Sequence, residues 1–223
     1  MKILVYNIST CTQQKSEKLF KQNADVYVVP EIAAEEKQFL PPNFEMKWKG
    51  IKYEKPFMGT KSKGLGIIWR KEHGKIPDWY DESLTYAIPL IYDGVLILGF
   101  WPTKINTTKS YTQLAKEIIE KYSSNIESSK ECIITGDFNL YKSSQANIIT
   151  INKRLNELGL KSVYHSKENE DFGSETKATY HHKPINDKPF FLDYTYSKLP
   201  INDYKLLDWD KDFSDHVGQL IIV

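Results

Sequence analysis

The sequence is poor in cysteine, with Cys11 and Cys132 the only two in 223 residues. That is too few for the disulfide framework of a small secreted scaffold, so reduced thiols and a cytoplasmic location are expected. No apolar run approaches the roughly 20 residues that a membrane helix requires, and no membrane partner is expected. The start, MKILVYNISTC, lacks the apolar stretch and the small-residue cleavage site of a signal peptide. Charge bias is also missing: 30 Lys and Arg stand against 29 Asp and Glu, a formal net charge of +1. This excludes a strongly basic nucleic-acid clamp and an acidic tail protein, but not a local patch. No Cys/His cluster has zinc spacing. No Gly-Lys-Ser/Thr follows Lys63-Gly64-Leu65-Gly66, which removes a nucleotide-triphosphate loop. No linker, repeat or composition shift divides the chain, so residues 1–223 are expected to form a single domain and a monomer.

What is present is an ordinary core-forming composition, 40% hydrophobic with 13% aromatic residues. Short apolar runs at 2–8, 24–30 and 64–70 read as strands, and 84–101 as a hairpin turning on Asp93-Gly94. Residues 12–22 suit a helix. The stretch 110–122 is the clearest helix, because Ser110 and Gln113 form a capping-box pattern and Leu114, Ile118 and Tyr122 recur every four residues. A further helix is expected over 144–158, ending at Gly159. The run from Glu131 to Asn139 reads as a buried strand entering a turn, and 179–183, 190–197 and 218–223 as later strands. The pattern predicts an α/β fold with extensive sheet.

Polar residues recur where these apolar runs end. Asn7 follows the first, Glu31 the second, Asp137 and Asn139 the run CIITG at 132–136. Asp193 lies inside PFFLDYTYS, and Asp215-His216 precede VGQLIIV. Any one of them could simply cap a turn, since Asp and Asn are common turn formers. Five in register with buried strands suggest convergence on one sheet edge. Their chemistry is coherent. Glu31 is a hard oxygen ligand suited to Mg²⁺ or Mn²⁺. Asp137 and Asn139, two positions apart, share a face in extended chain and could hold a water and a phosphate oxygen. His216 offers a titratable imidazole whose ring N–H Asp193 could accept. A divalent ion, an activated water, a histidine and amide donors suit phosphate-ester hydrolysis.

In order along the chain, Asn7-Ile8, Pro30-Glu31-Ile32, Gly136-Asp137-Phe138-Asn139, LDYTYS at 192–197 and Ser214-Asp215-His216 resemble the motif set of the endonuclease/exonuclease/phosphatase superfamily. This is the DNase I-like family that includes exonuclease III and the apurinic endonucleases. KGLGIIWR at 63–70 is similar to its Gly-rich strand. The resemblance implies a four-layer αββα sandwich, in which two mixed β-sheets are flanked by helices. It implies Asn7, Glu31 and Asp215 at a Mg²⁺ or Mn²⁺ ion, Asp137 and Asn139 around the attacking water and scissile phosphate, and Asp193 behind His216. Where many relatives carry a His, or a Tyr with a nearby Asn, this chain has Trp101, Pro102, Thr103 and Lys104. Thr103 and Lys104 could bind substrate, and Trp101 could stack on a base or pack in the core.

The activity expected is that of a metal-dependent phosphodiesterase or nuclease acting on DNA or RNA. The alternative is hydrolysis of a small-molecule, nucleotide or lipid-linked phosphate. The length leaves little room for loops that grip duplex DNA, so abasic-site repair is not expected. His73 and His165 read as solvent-facing. His181 and His182 point to opposite faces in a strand, so at most one faces the site. Cys132 is expected in the core. Residues 45–75 hold nine Lys and Arg against three acids, interleaved with Trp48, Tyr53, Phe57 and Trp69. They form either a modest grip on a phosphate backbone or a solvated loop.

Overall fold

The computed structural model describes the chain except residues 10–12, 56–58, 84–85, 105–106, 144–146 and 182–189, and the side chains of 13–14, 53–55 and 59–61. Cys11, Phe57 and His182 therefore lie outside the described residues, as does the side chain of Tyr53.

Two six-stranded sheets carry the fold. In the first, β1 (Lys2–Val5) lies parallel to β2 (Val26–Ile32), which runs antiparallel to β4 (Gly59–Arg70). Outside β4 lies β3 (Phe44–Lys55). On its other side β1 pairs antiparallel with β12 (Gln219–Ile222), which pairs with β11 (Asp203–Leu206), so both ends of the chain meet in one sheet. The second sheet runs β5 (Gly74–Lys75), β6 (Ala87–Tyr92), β7 (Val95–Phe100), β8 (Cys132–Asp137), β10 (Asp193–Ser197) and β9 (Lys161–Ser162) in that spatial order. Its β7–β8 pair is parallel, joined by the helical crossover that such a pair needs. Both sheets are therefore mixed.

The period-2 alternation of the strands divides the core into layers. In the first sheet Ile3, Val5, Val26, Val28, Leu65 and Ile67 face the second sheet. Leu4, Tyr27, Val29 and Ile68 point the other way, beneath Leu19 of α1 (Gln13–Phe20). The second sheet is covered by α2 (Tyr111–Ser128) and α3 (Ile148–Glu157), through Ala115, Ile118, Ile119, Tyr122, Ile151 and Leu155. The result is the four-layer αββα sandwich expected. The capping box forms, with Gln113 N–H donating to Ser110 Oγ at 3.2 Å and Ser110 N–H to Gln113 Oε1 at 2.8 Å. α2 runs six residues beyond the expected end because Ile126 continues its buried stripe. Among the described residues, no helix is long and apolar enough to cross a membrane.

Three parts depart from the sequence reading. The basic stretch is not a loop: β3 and β4 form a twelve-residue antiparallel ribbon, paired from Phe44↔Arg70 to Lys55↔Gly59. Its lysines obscured the strand period, and the ribbon runs on past its last pair with β2, at Ile32↔Gly64. His165 is buried, not solvent-facing. It sits in the short helix α4 (Val163–Glu168), 3.6 Å from the Phe172 ring in a stack, with Nδ1 2.7 Å from Ser162 Oγ and Nε2 3.2 Å from Glu175 Oε1. A buried histidine needs such polar partners, and neither is adjacent in sequence. Residues 179–181 form only isolated bridges, Tyr180 opposite both Phe190 and His216.

Candidate active site

Strand ends place the polar residues. β1 and β2 run parallel, so Asn7 and Glu31 emerge at the same edge of the first sheet. Asp137, last in β8, lies opposite Asp193, first in β10, in the antiparallel register of the second sheet. The loop before β12 returns Ser214, Asp215 and His216 to that edge, and Ser214 Oγ donates to the Asn7 carbonyl at 2.6 Å. The two sheets thus contribute to one cluster through residues more than a hundred positions apart.

Within it, Asn7 Nδ2 donates to Asp137 Oδ2 at 2.9 Å, while Asn7 Oδ1 accepts the Ser9 N–H at 2.9 Å. Asp137 Oδ1 accepts the Asn139 N–H at 2.9 Å, an Asx turn that aims Asn139 with φ +52°. Asn139 Nδ2 in turn donates to the Pro102 carbonyl at 3.1 Å. Asp193 Oδ2 lies 2.8 Å from His216 Nδ1, and Asp193 N–H donates to Thr179 Oγ1 at 3.0 Å. His216 Nε2 stands 4.0 Å from Asp137 Oδ2. Asp137, Asp193 and His216 are all nearly solvent-free.

Burial without compensation disfavours charge, and here it acts on both signs. Asp137 is raised well above the usual carboxylate range, chiefly by burial and partly by Asp193, against the opposing pull of His216 and two hydrogen bonds. For His216 burial alone would lower the pKa, but the charge and hydrogen bond of Asp193, with the charges of Asp137 and Asp215, outweigh it. They hold the imidazole up to about 9. Asp193 thus stabilises imidazolium and fixes Nδ1–H toward itself.

The structure brings together Asn7, Asp137, Asn139, Asp193 and His216 by direct contact. Asp215 sits on the same loop, half-buried, with its carbonyl accepting the His181 N–H at 2.7 Å. Glu31 occupies a bulge between Pro30 and Ile32 with φ +65°, and its Oε2 is 2.6 Å from Lys63 Nζ. The Tyr111 phenol is raised first by burial and then by the charges of Asp137 and Glu31. Lys104 Nζ lies 4.6 Å from the Tyr111 ring centroid, which puts Lys104 at the same edge, and Thr103 is half-buried beside it. Trp101 is different: it is 1% exposed and packs edge-to-face on Tyr86, so it belongs to the core and offers no free face to a base.

Sequence reasoning missed Tyr111, Thr179, Lys63 and Ser214. Tyr111 looked like a helix residue, and Thr179 had no signal. Lys63 and Ser214 stood inside quoted motifs, but their roles depend on which carbonyl or carboxylate comes near. Of the two neighbouring histidines, His181 is the one described. It stacks on Trp209 at 4.0 Å, and burial followed by the charge of His216 lowers its pKa.

The residues fit a hard divalent ion. The edge offers oxygen donors from Asn7, Glu31, Asp137 and Asp215. Asp137, Asp193 and His216 also present ligand atoms within 4.8 Å of one another, so this buried group could hold a metal. Asp193 Oδ1 is buried with no hydrogen-bond partner among the described residues, a free acceptor inside the cluster.

No family model and no curated protein matches the sequence. The fold does match solved structures over its whole length. An AP endonuclease from Archaeoglobus fulgidus superimposes with a TM-score of 0.69 at 14% identity, covering 100% of this chain and 98% of that one. An endonuclease/exonuclease/phosphatase family protein from Leptotrichia buccalis gives 0.62 at 20% identity, covering 99% and 98%. A mannosyl-6-phosphatase from Bacteroides thetaiotaomicron gives 0.64 at 13% identity, also covering 99% and 98%. Such coverage removes the premise that this chain is short beside an abasic-site enzyme. In architecture, with two mixed six-stranded sheets flanked by helices, the chain has the DNase I-like fold of endonuclease/exonuclease/phosphatase proteins.

Proposed function

We propose that the protein is a divalent-metal-dependent hydrolase of phosphate esters, acting on the phosphodiesters of DNA or RNA. The observation that carries the reading is the buried Asp137–His216–Asp193 cluster, where a carboxyl of raised pKa faces an imidazole held as imidazolium. Two groups pushed in this way, 4.0 Å apart at a sheet edge, suit acid–base work on one substrate. In this reading 1–223 act as one domain.

Asp137 accepts a proton from the attacking water, and the Asn7 amide and the Asn139 N–H keep its carboxylate oriented for that task. Asn139 and the Nε2–H of imidazolium His216 donate to the phosphate oxygens as charge builds there. Water oxygen bonds to phosphorus as the ester P–O bond breaks, and the leaving oxygen takes up a proton from the site. Asn7, Glu31 and Asp215 would hold Mg²⁺ or Mn²⁺, which when bound polarises the phosphate and offsets the acidic edge. Lys104, Thr103 and the Tyr111 phenol flank the path along which substrate enters.

The ribbon β3–β4 favours a polynucleotide over a small phosphate. Its outer part, past the last β2–β4 pair at Ile32↔Gly64, carries Lys52 and Lys63 among the described side chains. It leaves the sheet beside Glu31, and a chain of phosphates could lie along it. The test assays the protein with Mg²⁺ or Mn²⁺ on single- and double-stranded DNA, RNA, a generic phosphodiester and a phosphomonoester. Polynucleotide cleavage is expected, with affinity falling steeply as salt rises, and with a loss of about 10²-fold or more in rate for Asp137→Asn, Asn139→Ala and His216→Asn. Turnover of the phosphomonoester alone would refute the polynucleotide reading. Full metal-dependent activity in His216→Asn would refute the assignment of the site.

A further inference from the structure

We propose that Lys63 is a built-in counter-ion of Glu31, which competes with the divalent cation for that carboxylate and so sets how tightly the metal binds. The inference rests on the reading of Glu31 as a metal ligand. Glu31 is presented by a β-bulge. Pro30 pairs with Leu65 and Ile32 with Gly64, leaving Glu31 between them unpaired, at a φ of +65° that costs a non-glycine residue backbone strain. Strain at a polar residue on a sheet edge is retained when the surrounding structure fixes the side chain for a purpose.

The structure puts a cation on that carboxylate. Lys63 Nζ lies 2.6 Å from Glu31 Oε2, with the two side chains 33% and 19% exposed. Most surface ion pairs are looser and wetter than this. Lys63 is also placed by its neighbours. Gly64 faces Gly50 across the ribbon, and the Trp48 indole closes over both, so near that a Cβ on Gly64 would come within 2.6 Å of it. Trp48 Nε1 donates to the Ile32 carbonyl at 2.9 Å, tying this closure to the bulge. On the other side, Ser62 Oγ accepts the Ala34 N–H at 2.7 Å and contacts the Glu35 carboxylate. The Lys63 ammonium rests 5.9 Å from the centroid of the buried Trp101 ring, so a buried aromatic partly supports its charge.

An ammonium already on Glu31 Oε2 repels a divalent ion approaching the same carboxylate. Metal binding to Glu31 therefore has to weaken or displace the Lys63 contact, and the apparent affinity is reduced by the population that Lys63 already holds. The side chain is long enough to swing away while its stem stays on the ribbon. Lys63 is in this sense a positioning residue: it keeps Glu31 neutralised and in place, and it tunes metal affinity.

The experiment measures Mn²⁺ binding by titration calorimetry on the full chain, with no substrate present. Lys63→Met is expected to bind Mn²⁺ at least tenfold more tightly than the wild type. Lys63→Arg, which keeps the charge, should stay within about threefold. Lys104→Met controls for the general effect of removing a positive charge at this edge, because the Lys104 ammonium lies over Tyr111. It should change affinity by less than threefold. An unchanged or weaker affinity in Lys63→Met overturns the inference, as does an equal gain in Lys104→Met. Failure of the underlying reading looks different: either the wild type takes up no Mn²⁺, or Glu31→Gln binds it as well as the wild type does.

Discussion

Replacing Asp193 by Asn tests the electrostatics of the cluster most directly. In the native protein the carboxylate sits 2.8 Å from His216 Nδ1, and the pair is cut off from solvent. Raising an imidazole from its ordinary 6.5 to about 9 corresponds to about 3 kcal/mol of folding free energy. The folded pKa exceeds the unfolded one, so this stability is fully present below pH 6.5 and is lost as the pH rises through 9. Asp137 is raised too, so its own contribution also falls with rising pH, but its window opens lower, at the ordinary carboxylate range. Asn keeps the shape and a hydrogen bond while removing the charge, leaving burial as the chief influence on the imidazole, whose pKa should fall below 6.5. The assay is urea unfolding at pH 6, 7.5 and 9 in chelator, with the His216 ring followed by NMR. The wild type should lose about 3 kcal/mol from this group across that window, equivalent to a Tm drop of about 6–12 °C. Asp193→Asn should lose little over the same range. A wild-type imidazole titrating at or below 6.5, or parallel pH–stability curves for the two proteins, would refute the reasoning.

Two further outcomes follow from packing. Gly136 precedes Asp137 with φ +152°, and a Cβ there would stand 1.8 Å from the Phe100 carbonyl oxygen across the parallel β7–β8 pair. Gly136→Ala should therefore cost about 3 kcal/mol or more in urea denaturation, and displace Asp137 enough to remove activity; a stable, active variant would contradict this geometry. Cys132 is buried and its thiol is pushed up to about 12 by burial, so it holds little thiolate at neutral pH. In a Cys11→Ser background, a thiol reagent at pH 8 should label it only after denaturation, and rapid labelling of the native protein would be the contrary result.

Much of this architecture was legible in the sequence because its signals are local. The Asp93-Gly94 turn and the Ser110–Gln113 box specify their elements within a few residues, and both form. The polar strand ends were legible for a different reason. A carboxylate or amide that interrupts an apolar run must either cap a turn or join a site. Asp137 does both, accepting the Asn139 N–H through one oxygen and the Asn7 amide through the other. What stayed hidden depends on pairings that no spacing encodes. The β3 strand could be read as a charged loop because its alternation, Phe44, Met46 and Trp48 against Glu45, Lys47 and Lys49, is short and sits in a lysine-rich stretch, and Trp101 could be read as a platform or as core until its burial was known. His165 looked exposed because what buries and pairs it, the Phe172 ring and the Glu175 carboxylate, lies beyond its own short helix.

Topology explains how a sequence with almost no net charge supports so polar an edge. The β1–β2 and β7–β8 pairs are parallel, each needing a crossover that returns the chain to the same side. Asn7 and Glu31 therefore leave one sheet together. In the other, the Asp137 turn emerges beside Pro102, which follows β7. The antiparallel partner β10 then sets Asp193 opposite Asp137, and the loop into β12 brings His216 between them. Four acidic side chains at such an edge repel one another, and the fold offsets this with cations drawn from distant segments. His216 sits against Asp193 and Asp137, and Lys63 against Glu31. Each cation is supplied by a different structural element, so either can be changed by substitution without removing the other. Proton binding at His216 and metal binding at Glu31 should then respond separately to their own variants. Asp193→Asn is expected to move the imidazole titration while Lys63→Met moves the Mn²⁺ affinity, and a shift of both by either substitution would mean that the edge behaves as one charged unit.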